Sequence, residues 1–186
     1  MSIEKTAVTA VASLMALAAR TAPKGKGVDT IIVRVLKDPE RKQLADHLAE
    51  LGNERGIGFF LRDAKNLAAA DGCILIGARG RTVVGLDCGA CGYETCAAMT
   101  AACRLPKKSL LPFAGPNCII RMTDLGIALG SAVKTAQIHN VDNRIMYSGG
   151  VAARDLGLFD KNCTIAYAIP LSATGKNIFF DRETGK

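Results

Sequence analysis

The sequence predicts an α+β fold, and three observations carry that expectation. Helical apolar spacing alternates with short β-branched runs along the chain. Proline between acidic residues opens one helix, and Gly-Asn follows its apolar face. No internal repeat, low-complexity tract or linker divides the 186 residues, so a single domain over 1–186 is expected.

The elements follow in order. Over residues 3–20, Val8, Val11, Leu14, Met15 and Ala18 recur at helical spacing, with Ser2 as N-cap. Thr21-Ala22-Pro23-Lys24-Gly25-Lys26-Gly27 ends that helix in a basic loop, and Val28 to Leu36 reads as a strand. Asp38-Pro39-Glu40 starts a helix that is expected to stop at Gly52-Asn53. A second helix is expected over Leu61 to Ala70, then a buried strand over Gly72 to Gly77 and another strand over Thr82 to Leu86.

Ala97 to Ala102 has helical composition, and a long helix covers roughly Ile120 to His139, with Asp124 favouring its positive end. Ile145 to Tyr147 reads as a short strand or turn, Val151 to Leu156 as a short helix, and Thr164 to Ile169 as a strand. Asp142-Asn143-Arg144 caps and turns the chain. The tail from Leu171 is expected to be irregular, with Phe179 and Phe180 anchoring it.

Composition narrows the function classes. Hydrophobic residues at 49% and charged residues at 22% are usual for a globular chain. No apolar run approaches the ~20 residues of a membrane span, so no membrane partner is expected. Met1-Ser2-Ile3-Glu4-Lys5 lacks a basic segment followed by an apolar one, and seven cysteines then suit a reducing, cytoplasmic setting. The net charge of +7 is scattered, without Lys/Arg runs or interleaved aromatics. It favours solubility and an acidic protein partner over nucleic acid. No Ser/His/Asp set, carboxylate pair or Walker loop supports hydrolase or kinase chemistry.

The chemistry concentrates in Cys88-Gly89-Ala90-Cys91-Gly92-Tyr93-Glu94-Thr95-Cys96. Three thiols on a Gly-rich arc cannot all pack as isolated apolar side chains. The glycines permit tight turns that bring backbone N–H groups near sulfur, as a metal or iron–sulfur centre requires. A fourth thiolate comes from Cys103 or Cys118. Cys103 lies about two helical turns, roughly 10 Å, beyond Cys96. Cys118 follows Gly115-Pro116-Asn117, a turn that can present a thiol, and is preferred.

A zinc site is the alternative for this arc, but zinc sites usually pair two short Cys/His units, and His47 and His139 lie elsewhere in helices. A reactive catalytic cysteine without a cluster is a further alternative. Cys73 and Cys163 sit in apolar strands and are expected in the core. Residues 87–118 form an inserted cluster segment on this reading, and its Lys107 and Lys108 place positive charge beside the centre.

The cysteine arc, with Gly115-Pro116-Asn117-Cys118, resembles the four-Cys 4Fe–4S domain of carbon monoxide dehydrogenase/acetyl-CoA synthase-type proteins. More closely, the chain resembles the prokaryotic ferredoxin-domain proteins. Thr123-Asp124-Leu125-Gly126-Ile127-Ala128-Leu129-Gly130-Ser131-Ala132, Val141-Asp142-Asn143-Arg144 and Pro170-Leu171-Ser172-Ala173-Thr174-Gly175-Lys176-Asn177 carry that match. The resemblance implies one 4Fe–4S cluster with metal ligands Cys88, Cys91, Cys96 and Cys118.

The frame is similar to flavin-dependent nitroreductases. Ala18-Ala19-Arg20-Thr21-Ala22-Pro23-Lys24-Gly25, the β-rich segment and Asp38-Pro39-Glu40-Arg41 carry this likeness, with Gly126-Ile127-Ala128, Leu156-Gly157-Leu158 and Ala168-Ile169-Pro170. It implies a mixed sheet flanked by helices, a homodimer, and FMN at the dimer interface. The Arg-rich segment that grips the FMN phosphate in that family has no counterpart here. Arg20, Lys24 and Lys26 are the substitute candidates for the phosphate, against the simpler role of a solvated basic loop.

Three functions are therefore expected in order. The first is an iron–sulfur protein passing electrons to a redox protein partner. The second is a nitroreductase-like flavoenzyme using FMN with the cluster, and the third is a zinc-stabilised, non-redox interaction module.

Overall fold

The structure is a computed structural model, and it describes residues 2–105 and 112–180. Lys107 and Lys108 lie outside the described residues. The chain runs α1 (Ile3–Thr21), β1 (Ile31–Val35), α2 (Asp38–Arg55), α3 (Gly58–Ala69), β2 (Gly72–Ala78), α4 (Cys96–Arg104), α5 (Ile119–Ile138), β3 (Asp142–Asn143), α6 (Tyr147–Asp155) and β4 (Ile165–Ser172).

The strands form one sheet in the order β1-β2-β4-β3. Its three ladders are all antiparallel, where a mixed sheet was expected. Strand alternation sorts β2 between two layers. Ile74 and Ile76 pack with Val8, Met15, Leu125 and Ala128 of α1 and α5 on one face. Cys73 and Leu75 pack with Leu48, Phe60, Leu67 and Val151 of α2, α3 and α6 on the other. β2 is thus buried on both sides, as its unbroken apolar run Cys73-Ile74-Leu75-Ile76 requires.

Local chemistry sets the helix ends. The Ser2 hydroxyl accepts from the Lys5 N–H at 3.2 Å and caps α1. Pro39 in the first turn of α2 needs no hydrogen-bond partner there, and the Glu40 carboxylate accepts from the Lys37 N–H at 2.9 Å. α2 continues past Gly52-Asn53 to Arg55. Gly52 serves packing instead: a Cβ there would meet Leu61 Cδ2 at 2.8 Å. Gly56, at φ +64°, makes the left-handed cap that ends the helix.

Three other expectations are corrected. Thr82 to Leu86 is not a strand. The Thr82 carbonyl accepts from Arg121 Nε rather than from a ladder partner, and Gly85 at φ +75° breaks the extension. α6 starts at Tyr147, because Gly149 and Gly150 let it lie directly on β4. A Cβ on Gly150 would sit 1.8 Å from the Ala166 carbonyl oxygen. β4 also runs on to Ser172, so the irregular tail begins later than expected.

Candidate metal centre

The cysteine segment leaves the sheet where β2 ends at Ala78. It returns when the Cys118 N–H donates to the Gly80 carbonyl at 2.7 Å. Between these points the backbone turns through left-handed conformations at Asp87 (φ 47°), Gly89 (φ 71°) and Gly92 (φ 86°). The Gly92 N–H closes a tight turn on the Gly89 carbonyl at 2.9 Å. Glycine is needed at 89 and 92 for that turning, and Asp87 tolerates it because its carboxylate accepts from the Cys96 N–H at 2.6 Å.

Both helices that border the segment begin at a cysteine. Cys96 is the first residue of α4, whose cap Thr95 accepts from the Ala98 N–H at 3.1 Å. Cys118 is the N-cap residue of α5.

A small apolar cluster gathers part of the set. Val84, Met99 and Cys118 are buried together, and Cys91, Tyr93 and Cys103 pack against them. Cys103 Sγ lies 3.6 Å from the Pro116 carbonyl, beside the turn that presents Cys118. Cys88 is exposed, and Cys91 and Cys96 are half-buried. Among the described residues, no three His, Cys, Asp or Glu side chains are gathered closely enough to hold a metal ion. Of the four predicted ligands, Cys91 and Cys118 share the Met99 cluster, and Cys88 and Cys96 lie outside it; thiols suit an iron–sulfur centre in kind, but these four are not drawn to one point.

The two remaining thiols are core residues, as expected. Burial pushes the Cys73 thiol up to about 12 and the Cys163 thiol up to about 11, so neither supplies thiolate at neutral pH.

The basic loop is tied to its own chain. Arg20 pairs with Asp29 and donates to the Ile31 carbonyl at 2.8 Å. Lys24 donates to the last carbonyls of α1, at Ala19 (3.1 Å) and Arg20. Lys26, at 3.5 Å from the Gly85 carbonyl, is the least engaged of the three and lies against the cysteine segment.

Sequence reasoning missed the buried pair that joins these two regions. Arg121 and Asp124 are 1% and 3% exposed. Arg121 donates to the carbonyls of Gly25, Val28 and Thr82, while Asp124 accepts from the Gly25 N–H at 2.9 Å. The Arg-x-x-Asp spacing on a helix is the only sequence signal that pointed to it. Asp124 is thus structural as expected, though through this pair rather than through the helix end alone.

The family described as "Uncharacterized protein containing a ferredoxin domain (DUF2148)" matches residues 114–182, a span that includes Cys118. An uncharacterised protein of Archaeoglobus fulgidus is 44% identical over 179 residues, 96% of this chain and 94% of the relative. The chain belongs to this ferredoxin-domain family.

Solved structures with the same frame are nitroreductase-like. A nitroreductase family protein from Clostridium novyi NT aligns over 96% of this ferredoxin-domain chain and 80% of its own, with TM-score 0.54 and 12% identity. The NADPH:FMN oxidoreductase from Vibrio harveyi, complexed with NAD+, aligns over 90% of this chain and 60% of its own, with TM-score 0.53 and 12% identity. Nitroreductase A from Vibrio parahaemolyticus aligns over 90% and 59%, with TM-score 0.52 and 13% identity. The chain spans about three fifths of the two Vibrio proteins. These likenesses show a nitroreductase-like α+β fold carrying a Cys-rich segment. No described helix is long and apolar enough to cross a membrane.

Proposed function

We propose that this ferredoxin-domain protein holds one 4Fe–4S cluster on Cys88, Cys91, Cys96 and Cys118 and exchanges single electrons with a redox protein partner in the cytoplasm. The observation that carries the reading is the packing of Cys91 and Cys118 into one apolar cluster, with Cys88 three positions before Cys91 on the same arc and Cys96 opening α4. Residues 87–118 are then an insertion on a single domain.

Each residue has a role in binding. Gly89 and Gly92 give the arc the freedom to draw Cys88 and Cys96 toward Cys91 and Cys118. Thr95 and Asp87 fix the first turn of α4 and hence Cys96. Val84 and Met99 keep water from the buried side, which lowers the local dielectric and with it the stability of added charge. A bound cluster supplies one-electron chemistry at a potential set by such hydrogen bonds and burial. Loading is coupled to closing of the arc, as metal binding is coupled to folding in small sites.

The nitroreductase-like fold supports a second reading, in which the cluster serves an FMN. The phosphate would fall to the basic loop, where Lys26 has the most freedom because Arg20 and Lys24 are spent within the chain. A homodimer has a matching surface. Leu14 and Leu17 of α1 and Ile127 and Ile138 of α5 are 43%, 58%, 40% and 65% exposed on helices that pack side by side.

Elemental and absorption analysis of protein purified natively without oxygen tests the cluster and flavin readings. Iron with acid-labile sulfide supports the cluster, and FMN released on heating supports the second reading as well. Zinc near one equivalent without iron would replace both with a zinc-stabilised interaction module.

A further inference from the structure

The cysteine segment leaves the fold at Gly80 and comes back at Ala114, and its two ends are fastened to each other. Thr164, just before β4 and 2% exposed, joins them with each of its polar groups. Its carbonyl accepts from the Ala114 N–H at 3.2 Å, and its N–H donates to the Ala78 carbonyl at 2.9 Å. Its hydroxyl accepts from the Gly80 N–H at 3.0 Å. The Gly80 carbonyl in turn accepts from the Cys118 N–H at 2.7 Å. Asn117 completes the ring, with Nδ2 donating to the Ala114 carbonyl at 2.9 Å. Its Oδ1 is buried without a hydrogen-bond partner. That oxygen fills the space beside Gly80 instead: a Cβ there would stand 2.2 Å from it and 2.7 Å from Thr164 Oγ1. A buried acceptor without a donor costs stability, so its presence calls for a reason beyond turn formation.

We propose that Asn117 is the positioning residue of the candidate centre: with Gly80 and Thr164 it clasps the base of the cysteine segment and holds Cys118 as the fixed thiol. The inference rests on the reading above for what Cys118 does, while the clasp itself belongs to the apoprotein. Cys118 is 5% exposed and its N–H is held by Gly80, whereas Cys88, Cys91 and Cys96 lie along the segment before it returns. The contact of Asn117 with Gly80 is one of shape. Both backbone groups of Gly80 are already bonded, and the room left by its missing side chain is what the carboxamide occupies. The clasp ties Cys118 to the end of β2 and the start of β4, so the arc can rearrange without moving this thiol.

Iodoacetamide labelling of the native apoprotein, followed at each cysteine by peptide mass spectrometry, tests the clasp. A buried thiol labels through local opening, so its rate reports how well the clasp is closed. In the wild type, Cys118 should label far more slowly than Cys88. Asn117→Ala should speed Cys118 about fivefold or more, with Cys163 still protected. Asn117→Asp, which keeps the shape but sets an oxygen against the Ala114 carbonyl, should do the same. Gly80→Ala should also release Cys118, and combining it with Asn117→Ala should add little, because both break one contact. Against a competing chelator, reconstituted Asn117→Ala should hold iron about tenfold less well than wild type. The proposal is overturned by a Cys118 rate within about twofold of wild type in both Asn117 variants, by a joint rise of Cys118 and Cys163, or by iron held equally well in Asn117→Ala. Undiminished iron uptake by Cys118→Ser would instead overturn the reading beneath it, with the clasp intact.

Discussion

Arg121 Nη1 and Asp124 Oδ2 are 2.9 Å apart in the core, one helical turn beyond Cys118. Through Gly25 and Thr82 this pair fastens the basic loop and the start of the cysteine segment to the same turn of α5. Anything that displaces α5 there displaces the turn that presents Cys118.

Breaking the pair on one side leaves a buried charge alone. Asp124→Asn keeps the shape but strands the Arg121 guanidinium. It should destabilise the apoprotein by about 3 kcal/mol, read as a lower denaturant midpoint with an unchanged slope. A loss below about 1 kcal/mol would mean that the carbonyls of Gly25, Val28 and Thr82 satisfy Arg121 without its partner.

Gly150→Ala tests the contact of α6 with β4. The new methyl would overlap the Ala166 carbonyl, so a loss of about 3 kcal/mol or failure to fold is expected. Gly126→Ala is the counterpart on α5, where nothing lies within 4 Å of the added Cβ. It should be neutral or stabilise by up to about 1 kcal/mol in thermal or chemical unfolding, because alanine has the better helix propensity.

Thiol reactivity should divide the cysteines. In folded apoprotein at pH 8, iodoacetamide should label Cys88, Cys91 and Cys96, and leave Cys73 and Cys163 intact until denaturant is added, as read by peptide mass spectrometry. Burial holds both core thiols neutral far above that pH.

The same burial sets an alkaline limit to stability. Below the ordinary thiol value of 9.0, Cys73 is neutral folded and unfolded, so its packing is fully retained. Above it the unfolded thiol ionises first, and stability falls as pH rises toward about 12, where the folded thiol also ionises. Cys73→Ala should flatten this alkaline fall in denaturation midpoints measured from pH 8 to 11, at the cost of a cavity beside Leu75.

Much of the fold was legible because local and tertiary demands agree. Ser2, Asp38-Pro39-Glu40 and the apolar run through Cys73 each specify an element without help from distant residues. Disagreement came where glycine has two uses. Gly52 read as a stop, yet it is a close-approach point inside α2 that only the neighbouring Leu61 reveals, and Gly149-Gly150, ahead of the expected start of α6, lie inside that helix against Ala168 and Ala166. Thr82 to Leu86 has strand composition, but Arg121 takes its hydrogen bonding, and that partner lies 39 positions away.

The three-thiol arc was legible from spacing, while spacing does not decide the fourth position between Cys103 and Cys118, and the structure packs both against Met99. The surroundings of the arc were not legible. α4 turns Met99 and Cys103 toward Cys118, and short Ala-rich segments such as Ala97-Ala98-Met99 carry little periodicity to show it.

The most direct test is the iron and acid-labile sulfide bound per chain after anaerobic reconstitution of the wild type, Cys103→Ser and Cys118→Ser. The account predicts about four of each in the wild type and in Cys103→Ser, with loss of most of both in Cys118→Ser. Undiminished iron and sulfide in Cys118→Ser, or full loss in Cys103→Ser alone, would contradict it.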